Sequence, residues 1–167
     1  ETIQCIEIAG VQGDATNTPP MEGYQEGITE AAGEWMADDV QYADATATKA
    51  VDAMNGIMGR YPDGVAIICS NNDDMAIAAA RTAASNPAYE NTIFLGFDGQ
   101  KSACEAVLSG DLTMTAAQNN FDIGYKAVEN MVKCLQGEEY GDVDTGTSII
   151  TKDNAQERID NFAEWLA

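Results

Sequence analysis

Short apolar, β-branched runs alternate along the chain with longer stretches whose apolar positions fall on one helical face. Thr2 to Ala9 reads as a strand, and the Gly/Asn/Thr/Pro-rich stretch Gly10 to Pro20 as a loop. The pattern predicts a helix over Met21 to Trp35, with Pro20 suited to its first turn, and a short strand over Val40 to Ala43. Thr46 or Thr48 can cap the next helix, where Val51, Met54, Ile57 and Met58 share a face. Val65 to Cys69 and Thr92 to Phe97 are continuous apolar runs, as expected of strands covered on both sides. Between them an Ala-rich helix follows Asn71-Asn72-Asp73 and is broken at Asn86-Pro87. A helix carrying Cys104, Ala106, Val107 and Leu108 stops at Gly110, and Leu112 to Ala117 is the next strand. A helix from Asp122 to Gln136, a polar loop to Gly146 and a strand over Thr147 to Thr151 follow. The last helix bears Ile159, Phe162, Trp165 and Leu166. Such alternation predicts an α/β three-layer sandwich: a central parallel sheet with right-handed crossovers, flanked by helices on both faces.

Composition narrows the chemistry. The 167 residues suffice for one well-buried domain, and no apolar run approaches the roughly 20 residues of a membrane span. Asp and Glu number 28 against 8 Lys and Arg, a net charge of -20 spread along the chain. A surface of that sign repels phosphate backbones, so nucleic acid is not expected as a partner. Histidine is absent, which removes the commonest general base and metal ligand. The four cysteines, Cys5, Cys69, Cys104 and Cys134, form no CxxC pair, so no metal and no cofactor is expected. Cys104 and Cys134 could pair only if their helices touch. The chain opens on Glu1 rather than Met, so we expect it to begin inside a longer precursor or after processing.

Open parallel sheets take ligands beyond the carboxyl ends of their strands. Those ends carry Asp14, Asn17 and Thr18 after the first strand, Asp44 and Thr46 after the second, and Ser70-Asn71-Asn72-Asp73 after the third. Asp98-Gly99-Gln100 and Gln118-Asn119-Asn120 follow the fourth and fifth. Amides both donate and accept, and carboxylates accept two hydroxyls, so this inventory suits a neutral polyhydroxylated ligand. No Lys or Arg stands at these positions, which disfavours phosphate or carboxylate ligands. Plainer roles compete: Asn72 or Asp73 as a helix cap, Asp98 as a turn residue, Gln118 as the close of an apolar strand. Gly10-Val11-Gln12-Gly13 is not a dinucleotide fingerprint. A phosphoacceptor reading of Asp98 lacks the Lys it would need, and Ser70 has no histidine to activate it. No enzymatic activity is expected.

Several segments together resemble periplasmic sugar-binding proteins of the ribose/galactose type. Ser70-Asn71-Asn72-Asp73-Asp74-Met75-Ala76 is similar to that family's NDxMA segment, and Leu95 to Gly99 to its GFD strand end. Leu112 to Gln118 with Gly124, Ile149 to Asn154, and Gly23-Tyr24-Gln25-Glu26-Gly27 resemble three further motifs in the same order. The resemblance implies a solute-binding component of an ABC transporter, working with a membrane permease. Its place would be periplasmic or extracellular, where a lipoprotein anchor is an option. It also implies that Asn72, Asp98 and Gln118 bind sugar hydroxyls; the strand ends add Asn17, Thr18 and Asp44 as weaker candidates. Where the family often has an Arg and a large aromatic, this chain has Thr16-Asn17-Thr18 and Asp44-Ala45-Thr46, so ribose or glucose specificity does not carry over.

Family members have two lobes, and the resemblance makes residues 1–167 the C-terminal one. Segment 119–146 would then pack on the absent N-terminal lobe. Without it, the apolar face of Ile123, Ala127, Val128, Met131 and Leu135 is expected to pack back on this lobe or on a second copy. The effector lobe of a LacI-type regulator is the rival reading, with the acidity and the ending at Ile149 to Asn154 favouring transport.

Overall fold

The computed structural model describes residues 2–165. Leu166, assigned above to the last helix, lies outside the described residues. The order is β1 (Gln4–Ala9), α1 (Thr18–Glu30), β2 (Glu34–Trp35), β3 (Gln41–Tyr42), α2 (Ala47–Arg60), β4 (Ile67–Ser70) and α3 (Asp73–Ala83). Then come β5 (Ile93–Asp98), α4 (Lys101–Ser109), β6 (Met114–Gln118), α5 (Asn120–Gln136), β7 (Thr147–Ile150) and α6 (Ala155–Trp165). The strands lie side by side as β2-β1-β4-β5-β6-β7, with β3 continuing the β2 edge along β1.

Side chains alternate across this sheet and divide it chemically. Ile6, Ile8, Ile68, Phe94, Ala117 and Ile150 join Met54 and Ile57 of α2, Met75 and Ala79 of α3, and Val107 of α4 in one core. Burying one such aliphatic side chain contributes roughly 1.5–3 kcal/mol. The alternate positions Cys5, Glu7 and Cys69 face the side that α1 covers. There the Tyr24 hydroxyl donates to the Ser70 carbonyl at 3.1 Å and to the Gly96 carbonyl at 3.2 Å. Farther along, Ile93 and Ile149 are exposed.

Three expectations change. The first helix starts earlier, at Thr18, with the prolines in its first turn, and ends at Glu30 instead of Trp35. Its end is a Schellman closure: Gly33 N donates to Ile28 O and Ala32 N to Thr29 O, with Ala32 left-handed at φ 57°. Glu34 and Trp35 are thereby freed to pair with Gln4 and Cys5. Ala at that φ is strained, so Ala32→Gly is expected to raise stability by about 1 kcal/mol. A higher urea midpoint with unchanged slope would show it.

Second, the sheet is parallel except at its last strand. β7 runs antiparallel to β6, with Gln118 opposite Thr147 and Thr115 opposite Ile150. The cause is α5, whose 17 residues span about 25 Å and bury no residue. It carries the chain off the sheet, and the return loop re-enters where β6 ends rather than where it began.

Third, the apolar face of α5 does not pack back on this lobe. Val128 is 66% exposed, Met131 59% and Leu135 80%. Cys104 is buried in the core while Cys134 on α5 is exposed, so those two thiols stay apart.

Candidate functional site

The strand ends open into a recess of about 200 Å³ lined by Gly10, Asn17, Asn71, Asn72, Asp98 and Gln118, among others. Asp98 closes β5 at φ 113°, a conformation rarely taken by a residue with a side chain. Its Oδ1 accepts from Gln118 Nε2, which closes β6, at 2.8 Å. Asp98 and Gln118 therefore form one hydrogen-bonded unit across adjacent strands. Desolvation pushes the Asp98 carboxyl above its ordinary range, and the Gln118 bond partly offsets this.

Asn72 caps α3: its Oδ1 accepts from Met75 N at 2.9 Å, while its Nδ2 donates to the Ala45 carbonyl at 3.2 Å. The cap role is thus realised, and the residue still stands in the wall of the recess. Asn17 lies there too, donating to the Val11 carbonyl. Thr18 is exposed as the first residue of α1 and does not line the recess. Asp44 is also outside it, with its carboxylate paired to Lys49.

One neighbour stood in a strand-end run without being singled out, and another left no mark in the sequence. Asn71 bridges the site to the sheet, accepting from Gly10 N at 2.8 Å and donating to Glu7 Oε1 at 2.7 Å. It stands beside Asn72 in the sequence, and only the hydrogen bonds reveal which amide points where. Arg158 of α6 donates to the carbonyls of Gly99 at 2.7 Å and Gln118 at 3.0 Å. It clamps two strand ends through their backbones, 40 residues beyond Gln118, where no local pattern signals it. A larger groove, about 650 Å³, runs between α3 and α4, but there Arg81 is already paired with Asp111. Among the described residues no group of His, Cys, Asp and Glu is arranged to hold a metal ion, and no helix is long and apolar enough to cross a membrane.

Behind the recess Asp73 is fully buried. Its carboxylate accepts from Thr115 Oγ1 at 2.6 Å and from Gln100 N at 2.7 Å, tying α3 to β6 and to the start of α4. Burial pushes its pKa from 3.8 to about 6, and that of Glu7 from 4.5 to about 7. Both groups bind protons more tightly folded than unfolded, so stability falls as pH rises from about 4 to 7. Asp14, Asp39 and Glu129 are shifted down, so their effect on stability lies below about pH 4.5, at or beneath the low end of this range. The melting temperature is expected to be higher at pH 5 than at pH 8. A profile that rises toward pH 8 would contradict this.

The architecture is that of an open α/β lobe with a recess at its strand ends. Residues 1–139 match the periplasmic binding protein domain, and the chain belongs to that family. It is 33% identical over 139 residues to a ribose import binding protein of Salmonella typhimurium, covering 83% of this chain and 46% of that protein. It is 34% identical over 129 residues to the D-allose-binding periplasmic protein of Escherichia coli, covering 75% and 41%. A Bacillus halodurans ABC transporter solute-binding protein crystallised with myo-inositol shares the fold, with a TM-score of 0.83 at 22% identity over 94% of this chain and 54% of that one. The chain thus spans about half the length of the relatives it matches.

Proposed function

We propose that this chain is the C-terminal lobe of an ABC-transporter solute-binding protein that recognises a neutral sugar or sugar-like polyol. The observation that carries the proposal is the joined Asp98–Gln118 pair, in a recess whose other polar side chains are Thr16 and the amides of Asn17, Asn71 and Asn72, with no Lys or Arg side chain in its lining. Carboxylate and amide groups match hydroxyls that both donate and accept, whereas an anionic ligand calls for Arg. Import binding proteins of ribose and allose among the relatives support the reading and disfavour a transcription regulator. The ligand would reach a permease from the periplasmic or extracellular side, with binding and no catalysis as this chain's part. A second lobe would close the recess and rest on α5, whose exposed Val128, Met131 and Leu135 are an apolar surface of the right kind. A dilution series by light scattering that showed dimers of the isolated lobe would indicate that a second copy can take that place.

The test is a thermal-shift screen of the full two-lobe protein against neutral pentoses, hexoses and inositols, with sugar phosphates as contrast. A ligand at 100 times its dissociation constant stabilises by about 2.7 kcal/mol, a shift of several degrees. At least one neutral sugar should produce it and the phosphates should not. Stabilisation by phosphates alone would refute the proposal.

A further inference from the structure

On the α1 side of the sheet, just behind the recess, a carboxylate is sealed in. Glu7 lies within β1 and is 0% exposed. A buried carboxylate is ordinarily paired with a cation. Among the described residues none pairs with Glu7. The titratable groups near it are Tyr24 from α1, Cys69 from β4, and Cys5 on its own strand, whose sulfur lies 3.7 Å from that of Cys69. Among the described residues Glu7 Oε2 has no hydrogen-bond partner, and Oε1 accepts from Asn71 Nδ2 at 2.7 Å.

An ionised carboxylate can only accept. Together with the Gly10 N–H, which can only donate and reaches Asn71 Oδ1 at 2.8 Å, it fixes which way round the Asn71 amide sits: nitrogen toward Glu7, oxygen toward Gly10. Gly10 opens the loop that carries Asn17. The two are packed so closely that a Cβ on Gly10 would lie 2.4 Å from Asn17 Oδ1. Orientation thus passes from a buried carboxylate through one amide to a backbone turn and to a second amide, and both amides line the recess.

We propose that Glu7 is a positioning residue for the ligand site: by fixing the Asn71 amide it sets the Gly10 turn and the hydrogen-bonding face that Asn71 and Asn17 present. The inference rests on the sugar-binding reading above. Ionised Glu7 makes a charge-assisted bond to Asn71, and protonation weakens it. With its pKa at about 7, ligand affinity falls as pH drops through neutrality, while fold stability rises over the same range. A merely structural role would move both in the same direction.

The experiment is calorimetric titration of the full two-lobe protein with D-ribose, D-allose and myo-inositol at pH 8 and pH 6. Wild-type affinity should fall about fivefold more than that of Glu7→Gln between the two, since one charge-assisted bond becomes neutral. Glu7→Gln, which mimics the protonated carboxyl, should bind at pH 8 with the weaker affinity expected of the wild type once Glu7 is protonated. Glu7→Met removes the acceptor and should bind about tenfold more weakly than wild type at pH 8, with a gap that narrows at pH 6. Identical pH profiles for wild type and Glu7→Gln would overturn the inference, even if Glu7→Met failed to fold. Wild-type protein that bound no neutral sugar in the screen above would instead overturn the sugar reading, and this inference with it.

Discussion

Gly99→Ala is expected to cost about 3–5 kcal/mol, enough to bring a domain of ordinary stability to the edge of unfolding. The residue sits at φ +69°, where a side chain costs roughly 1–2 kcal/mol on its own. Its new Cβ would fall 2.2 Å from Ala117 Cβ and 2.7 Å from Ala117 Cα, inside the hard-core distance. Backbone cannot yield there, because Ala117 is in register with Asp98 in the β5–β6 ladder. The Arg158 guanidinium that clamps Gly99 O would also lie 3.0 Å from the added methyl. Gly56→Ala is the control. That glycine is exposed within α2, nothing lies within 4 Å of its Cβ position, and the change should stabilise by up to about 1 kcal/mol. Urea denaturation of the two variants should shift in opposite directions. Equal midpoints would mean that β5 and β6 can separate at no cost.

The contrast between those two glycines marks what the sequence could and could not disclose. Helix and strand alternation was legible because it rests on local periodicity: Met54 and Ile57 share the buried face of α2 as their spacing requires. Asp98 and Gln118 were legible as well, since strand ends can be found from strands. Which strand runs backwards was not legible, because Thr147 to Ile150 carries the same apolar signal in either direction. The end of α1 was missed because an Ala, not a Gly, occupies the left-handed position of its closure. Asn71, Glu7 and Arg158 were missed for a further reason. Each acts through a partner distant in sequence, at Gly10, Asn71 and Gly99 respectively. Long-range hydrogen bonds leave no periodic trace.

At Asp98 two properties are expected to part company. The residue holds φ 113°, which is strained for anything but glycine, so Asp98→Gly in the intact two-lobe protein should gain roughly 1 kcal/mol of stability. The same change should weaken sugar binding by about 100-fold. The loss has two parts. On the sugar-binding proposal the carboxylate's remaining lone pairs would accept from ligand hydroxyls, and hydrogen bonds to a charged group contribute roughly 1.5–3 kcal/mol each. Gln118 Nε2 also loses the oxygen that holds it at 2.8 Å, so its amide is no longer aimed at the recess. Asp98→Ala should lose the same affinity without the gain in stability, because Ala keeps the strain. Strain retained at the cost of stability is what a ligand-contacting residue would show, and a turn residue would have no reason to keep it. Calorimetry and thermal melts on both variants separate the two roles. Wild-type affinity in either variant would show that the Asp98–Gln118 pair does not hold the sugar.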